Sequence, residues 1–169
     1  KQFEEAILTE FKSHFGGDVL LPGDPGYDDT RQIWNGMIDR KPALIARCKS
    51  DADIGQAVQF GREQKLLVAV RGGGHNIAGN AVCDDGLMID LSLMKKVEIE
   101  PETRRAMVEP GCILADFDAA AQKRGLATPL GINSTTGVAG LTLGGGFGWL
   151  SRKYGMTIDN LLSANVVMA

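Results

Sequence analysis

The chain has 169 residues, enough for one domain or for two small lobes sharing a core. Its 18 basic and 21 acidic residues leave a net charge of −3, which offers no cationic field to nucleic acid or to anionic lipid. The cysteines Cys48, Cys83 and Cys112 are odd in number and form no CxxC pair, so neither a disulfide framework nor a metal site is indicated.

Phe3, Ala6, Ile7, Phe11 and Phe15 recur at helical spacing and Gly16-Gly17 ends the pattern, which predicts a helix over residues 2–15. That charged opening is no secretory signal, and no apolar run approaches the roughly 20 residues that cross a bilayer, so a cytoplasmic location is expected. Pro22 to Asp29 is turn chemistry leading to Trp34. Residues 1–34 therefore read as a helix and lead-in segment, and residues 35–169 as the main body.

Ala43 to Cys48 reads as a short buried strand, followed by a helix with Ser50 at its N-cap, Asp51 and Asp53 in the first turn, and an end near Gln64. Leu66 to Val70 is a second strand, so the three elements form a parallel crossover. Leu87 to Leu91 and Val97 to Glu100 are further strands, and Arg104 to Glu109 pairs with the latter across a Pro101-Glu102-Thr103 turn. Ile113 to Lys123 is a helix closed by Gly125. A short helix over Trp149 to Tyr154 and a final strand over Leu161 to Met168 complete the set. Asn165 to Ala169 has no turn, cap or polar tail, so the chain reads as cut from a longer one.

The 22 glycines exceed the average of about 7% nearly twofold, and most lie in two clusters flanked by apolar segments. The first, Arg71-Gly72-Gly73-Gly74-His75-Asn76, follows a buried strand. Three glycines let the backbone turn and approach a ligand, their N–H groups form a nest for diphosphate oxygens, and Arg71 can add a charge-assisted bond. Neither G-x-G-x-x-G nor a P-loop is present, because Asn80 and Ala81 follow the Gly74 to Gly79 spacing. Alone, the run also fits a plain Gly-rich turn.

The second cluster runs from Gly131 to Gly148. Gly137, Gly140 and Gly144 recur at spacings of three and four, as on a helix pressed against something, and a helix start at Thr136-Gly137 would offer N–H groups to an anion. Two backbone-lined anion sites far apart in sequence suit a dinucleotide. His14 is expected to be solvated. Tyr154 and Asp159 fit contacts to a bound dinucleotide and equally fit packing and turn capping. Phe147 and Trp149 read as core or ligand-shelf residues.

Taken in order, Val70 to His75, Leu87 to Met94, Glu109-Pro110-Gly111, Gly131 to Gly148 and Arg152 to Asn160 resemble the FAD-linked oxidases of the vanillyl-alcohol-oxidase type, with a PCMH-type FAD-binding domain. Within them the run is most similar to the berberine-bridge-enzyme-like and 6-hydroxynicotine-oxidase-like branch. The resemblance covers about residues 35–169. It implies an α+β fold, with a small parallel-sheet lobe and the beginning of a larger antiparallel-sheet lobe, and the substrate domain lying outside this chain.

The resemblance also implies an FAD cofactor held by Arg71, Gly72, Gly73, Gly74, His75, Asn76, Gly131, Thr136, Gly137, Gly140, Gly144, Gly145, Gly146, Gly148, Tyr154 and Asp159. His75 would carry the flavin through its 8α carbon, because a neutral imidazole is a nucleophile and that carbon can act as an electrophile. Relatives with a second, cysteinyl bond have Cys where this chain has Asn133, so one covalent bond or none is expected. The implied activity is hydride transfer from a small alcohol, amine or sugar-like substrate to flavin, with reoxidation by dioxygen or another acceptor. No catalytic residue or metal ligand is assigned within these residues. A noncatalytic flavin- or nucleotide-binding module is the alternative.

Overall fold

The computed structural model describes residues 3–168, so Gln2 of the expected first helix and Ala169 lie outside the described residues. Those residues form two compact units, the first comprising 3–71, 76–93 and 166–168 and the second comprising 72–75 and 94–165. Each is built around its own sheet.

In the first unit, α1 (Glu5–His14) is followed by β1 (Asp18–Leu20), α2 (Tyr27–Arg31), β2 (Leu44–Arg47), α3 (Asp51–Glu63), β3 (Val68–Arg71) and β4 (Leu87–Asp90). The strand order is β1-β2-β4-β3. β2, β4 and β3 are parallel, as the strand, helix, strand reading requires, but β4 is inserted between the other two. β4 is buried at all four positions, which is why Leu87-Met88-Ile89 is a continuous apolar run without alternation. β1 pairs antiparallel with β2. Neither β1 nor α2 was evident in the sequence, because three residues of strand and five of helix are too short to show a period.

One face of this sheet packs on α3, where Ala57, Phe60 and Gly61 are buried, and Phe60 stacks on Phe11 of α1 with ring centroids 4.3 Å apart. The other face packs Ile45 and Met88 with Tyr27, Ile33, Ala81 and Val82. Ser50 caps α3 as expected, its hydroxyl accepting the Asp53 N–H at 3.3 Å. The parallel strands end in register on Arg47, Asp90 and Arg71. Asp90 is wholly buried. Its carboxylate accepts from Arg47 Nε at 3.1 Å and from the Ser92 hydroxyl at 2.8 Å.

The second unit pairs β5 (Val97–Glu100) with β6 (Arg105–Val108) antiparallel. Leu114, Phe117 and Ala121 of α4 (Leu114–Gln122) pack with Leu130 against Val97, Ile99 and Val108. Asp116 holds the start of α4 by accepting the Ile113 N–H at 2.9 Å. Beyond it lie α5 (Val138–Leu143), α6 (Ser151–Tyr154) and a 3-10 turn over Ile158–Asn160.

The strand expected over Leu161 to Met168 is not formed: residues 161–168 have no regular structure and are exposed. Apolar β-prone residues make a strand only when a neighbour pairs with their backbone, and no described strand does so here. Among the described residues no helix is long and apolar enough to cross a membrane.

Candidate flavin site

The two glycine clusters, some sixty residues apart, meet inside the second unit. A methyl group built on Gly137 would stand 2.5 Å from the Gly73 nitrogen and 2.8 Å from its Cα, so two side-chain-free backbones are needed for this approach. Gly72 lies equally tight, its absent Cβ 2.8 Å from the Pro110 carbonyl. Gly74 turns the chain with φ +71°, in the left-handed region that glycine adopts without strain.

Among the described residues, none of the backbone hydrogen bonds in turns, loops and caps is donated by Gly72, Gly73 or Gly74. These three successive N–H groups are therefore not used in the backbone bonding of the turns and loops.

His75 closes this turn. Its Nε2 lies 2.8 Å from Thr135 Oγ1, and Thr135 is fixed in turn by Asn133, whose Oδ1 accepts the Thr135 N–H at 3.1 Å and its hydroxyl at 2.9 Å. Burial pushes the imidazole below its ordinary value of 6.5, because desolvation disfavours the cation, so His75 is neutral at physiological pH.

Asn133 also lines an open cleft of about 360 Å³, together with Gly131, Thr136, Gly140, Gly144 and Gly146. Gly140 has nothing within 4 Å of its missing Cβ, so its backbone faces open space. Thr157 and Ile158 tie down the segment that carries Gly146, their N–H groups donating to the Gly146 and Gly145 carbonyls at 2.8 and 2.9 Å. Gly148 packs on the Leu130 carbonyl and donates its N–H to Ser151 Oγ at 2.9 Å.

The remaining expected site residues have partners of their own. The Arg71 guanidinium belongs to the first unit, where Nη1 donates to the Thr30 carbonyl and Nε lies 3.9 Å from Asp90. Asn76 is also in the first unit, its Oδ1 accepting the Asn80 N–H at 3.0 Å. Asp159 caps a turn by accepting the Met156 N–H at 2.8 Å. Tyr154 is half-exposed on a separate cleft with Thr128, Pro129 and Asn160, and Lys153 sits over its ring. His14 is bonded locally to Ser13 and the Glu10 carbonyl.

Thr135 is the residue that sequence reasoning passed over. Its contact with His75 spans sixty positions, and the only local trace is the polar run Asn133-Ser134-Thr135-Thr136 before α5.

The profile of the family described as FAD binding domain matches residues 42–169. The chain is 40% identical over 153 residues to (R)-6-hydroxynicotine oxidase of Paenarthrobacter nicotinovorans, covering 90% of this chain and 33% of that protein. It is 32% identical over 161 residues to Berberine bridge enzyme-like 8 of Arabidopsis thaliana, covering 88% and 31%. Its fold superposes on Physcomitrella patens BBE-like 1 with a TM-score of 0.87 at 27% identity, over 92% of this chain and 34% of that one. The chain spans about a third of the length of these relatives. The α+β, PCMH-type fold expected from the sequence is the fold observed.

Proposed function

Since this chain belongs to the FAD binding domain family, in the 6-hydroxynicotine-oxidase-like and berberine-bridge-enzyme-like branch of FAD-linked oxidases, we propose that it is the FAD-binding portion of a flavin-dependent oxidoreductase. One observation carries this reading: the apposition of Gly73 and Gly137 joins the unused N–H groups of Gly72, Gly73 and Gly74 to the cleft lined by Gly131, Thr136, Gly140, Gly144 and Gly146. A side chain at either glycine would close that approach.

Bound there, the flavin would supply a two-electron acceptor for a hydride. The glycine N–H groups bind and orient diphosphate oxygens, and His75, kept neutral by burial, offers a nitrogen for a single covalent bond. With Asn133 where a thiol would be needed, no second bond forms. Arg71 contributes from the end of β3 by fixing the strand that feeds the turn, through Thr30 and Asp90. Residues 1–34 are the lead-in and residues 35–169 the FAD-binding part.

For the whole protein we place the substrate among small alcohols, amines or sugar-like molecules, with dioxygen or another acceptor reoxidising the flavin. The test is FAD binding to the purified chain followed by intact mass. Flavin absorbance co-eluting with protein, and one added FAD on the mass, is the expected result. Co-elution without added mass would remove the tether and leave the site, whereas no bound flavin at saturation would overturn the FAD reading.

A further inference from the structure

Asn133 holds its side-chain amide in one orientation. The Thr135 backbone N–H can only donate, so the Asn133 atom 3.1 Å from it is the amide oxygen and not the nitrogen. The Thr135 hydroxyl donates to that same oxygen at 2.9 Å. Both lone pairs of Oδ1 are then engaged within the turn. Nδ2, on the other arm of the amide, carries two hydrogens, and among the described residues no group accepts either of them.

The surroundings of the residue set where those hydrogens point. Asn133 lines the cleft of about 360 Å³, whereas Thr135 does not. The oxygen arm, turned to Thr135, therefore faces away from the cleft, and the nitrogen arm is presented to it. Ile132, Leu141 and Phe147 give the same cleft apolar surface, and its glycines add backbone without side chains. Such a lining suits a flat, largely apolar ring with a polar edge, oriented by a few fixed polar groups. Because the Thr135 bonds already hold the amide, little side-chain freedom is lost when Nδ2 exchanges water for a ligand acceptor.

We propose that Asn133 binds the isoalloxazine ring of the flavin, donating from Nδ2 to an acceptor atom of the ring. This rests on the flavin reading above.

Two substitutions separate this role from upkeep of the turn. Asn133→Asp keeps the shape and an oxygen for both Thr135 bonds, but puts a charged acceptor where the donor was. Asn133→Ala removes donor and oxygen together and adds no charge. If Nδ2 donates to the ring, FAD should bind most tightly to the parent chain, about tenfold or more weakly to Asn133→Ala, and more weakly still to Asn133→Asp, because two facing acceptors repel. If Asn133 only holds the turn, the order of the variants reverses, with Asn133→Asp close to the parent. That order, or equal affinity in all three, would overturn the proposal.

Titrations are read by flavin fluorescence over an interval in which intact mass shows no adduct, and thermal melts of the flavin-free chains report folding separately. At saturation the visible absorption band of flavin bound to Asn133→Ala should be displaced from that of the parent, because a donor at the ring polarises its π system. An undisplaced band would put the contact on the ribityl chain or the diphosphate and overturn the ring assignment. A parent chain that binds no FAD at saturation overturns the flavin reading itself. A parent that binds FAD, with variants that bind it equally well, overturns only the role of Asn133.

Discussion

Gly73 and Gly137 face each other with no side chain between, so that a Cβ on Gly137 would come within 2.5 Å of the Gly73 nitrogen. Neither backbone can yield easily, since Gly73 lies in the turn after β3 and Gly137 caps the start of α5.

Gly137→Ala is therefore expected to lower stability by about 1–3 kcal/mol through overpacking, and to weaken FAD binding by about tenfold or more. Gly140→Ala provides the contrast. Its methyl group meets nothing within 4 Å and it sits inside α5, so stability should hold or rise by up to about 1 kcal/mol. Thermal melts with and without FAD check both, and an equal melting loss in the two variants would contradict the close-approach argument.

His75→Ala is expected to abolish the covalent adduct while keeping reversible FAD binding within about tenfold, because the glycine N–H groups remain. Denatured protein on a gel reads this directly. A fluorescent flavin band that survives His75→Ala would show that the tether lies elsewhere.

Asp53 gives the chain an acid-sensitive joint. It is 4% exposed, and although burial works against its charge, the Lys49 and Gly16 N–H groups, at 2.9 and 2.8 Å, together with Ser50 hold its carboxyl below the ordinary 3.8. The folded value is the lower one, so the unfolded chain binds more protons between the two. The contribution is then complete above the ordinary value and is lost as pH falls through the folded value. Asp53→Asn keeps only one accepting oxygen and leaves a buried N–H unpaired, which should cost about 1–3 kcal/mol at neutral pH. Urea denaturation across the acid range should show a smaller loss with pH in Asp53→Asn than in the parent.

The three thiols should be inert while the chain is folded. All are buried, and desolvation pushes Cys48 up to about 12 and Cys112 up to about 11, with Cys83 raised in the same direction. Only the thiolate attacks a disulfide reagent, so at mildly alkaline pH the native chain should react far more slowly than the urea-unfolded one, which should titrate all three. Rapid labelling of any one in the native state would contradict its burial.

Much of the fold was legible because its signals are local. The Ser50 cap, the apolar run Leu87-Met88-Ile89 and the helical spacing of Leu114, Phe117 and Ala121 each describe how a few neighbouring residues meet water or their own backbone, and each element formed within a residue or two of its expected bounds. Leu161 to Met168 failed for the complementary reason. Its β-prone composition was local, but a strand is completed by a partner.

The sequence by itself determined that two glycine clusters, with a histidine ending the first, leave the backbone bare of side chains at two places, because glycine's lack of a side chain is a property of the residue wherever it falls. Only the tertiary structure decided that Gly73 meets Gly137, that Arg71 turns to Asp90 and Thr30, and that His75 answers to Thr135 and Asn133. Those are contacts between distant segments. Hydrogen-bond direction and desolvation depend on which atoms arrive within about 3 Å of one another, and residue order alone does not encode that distance.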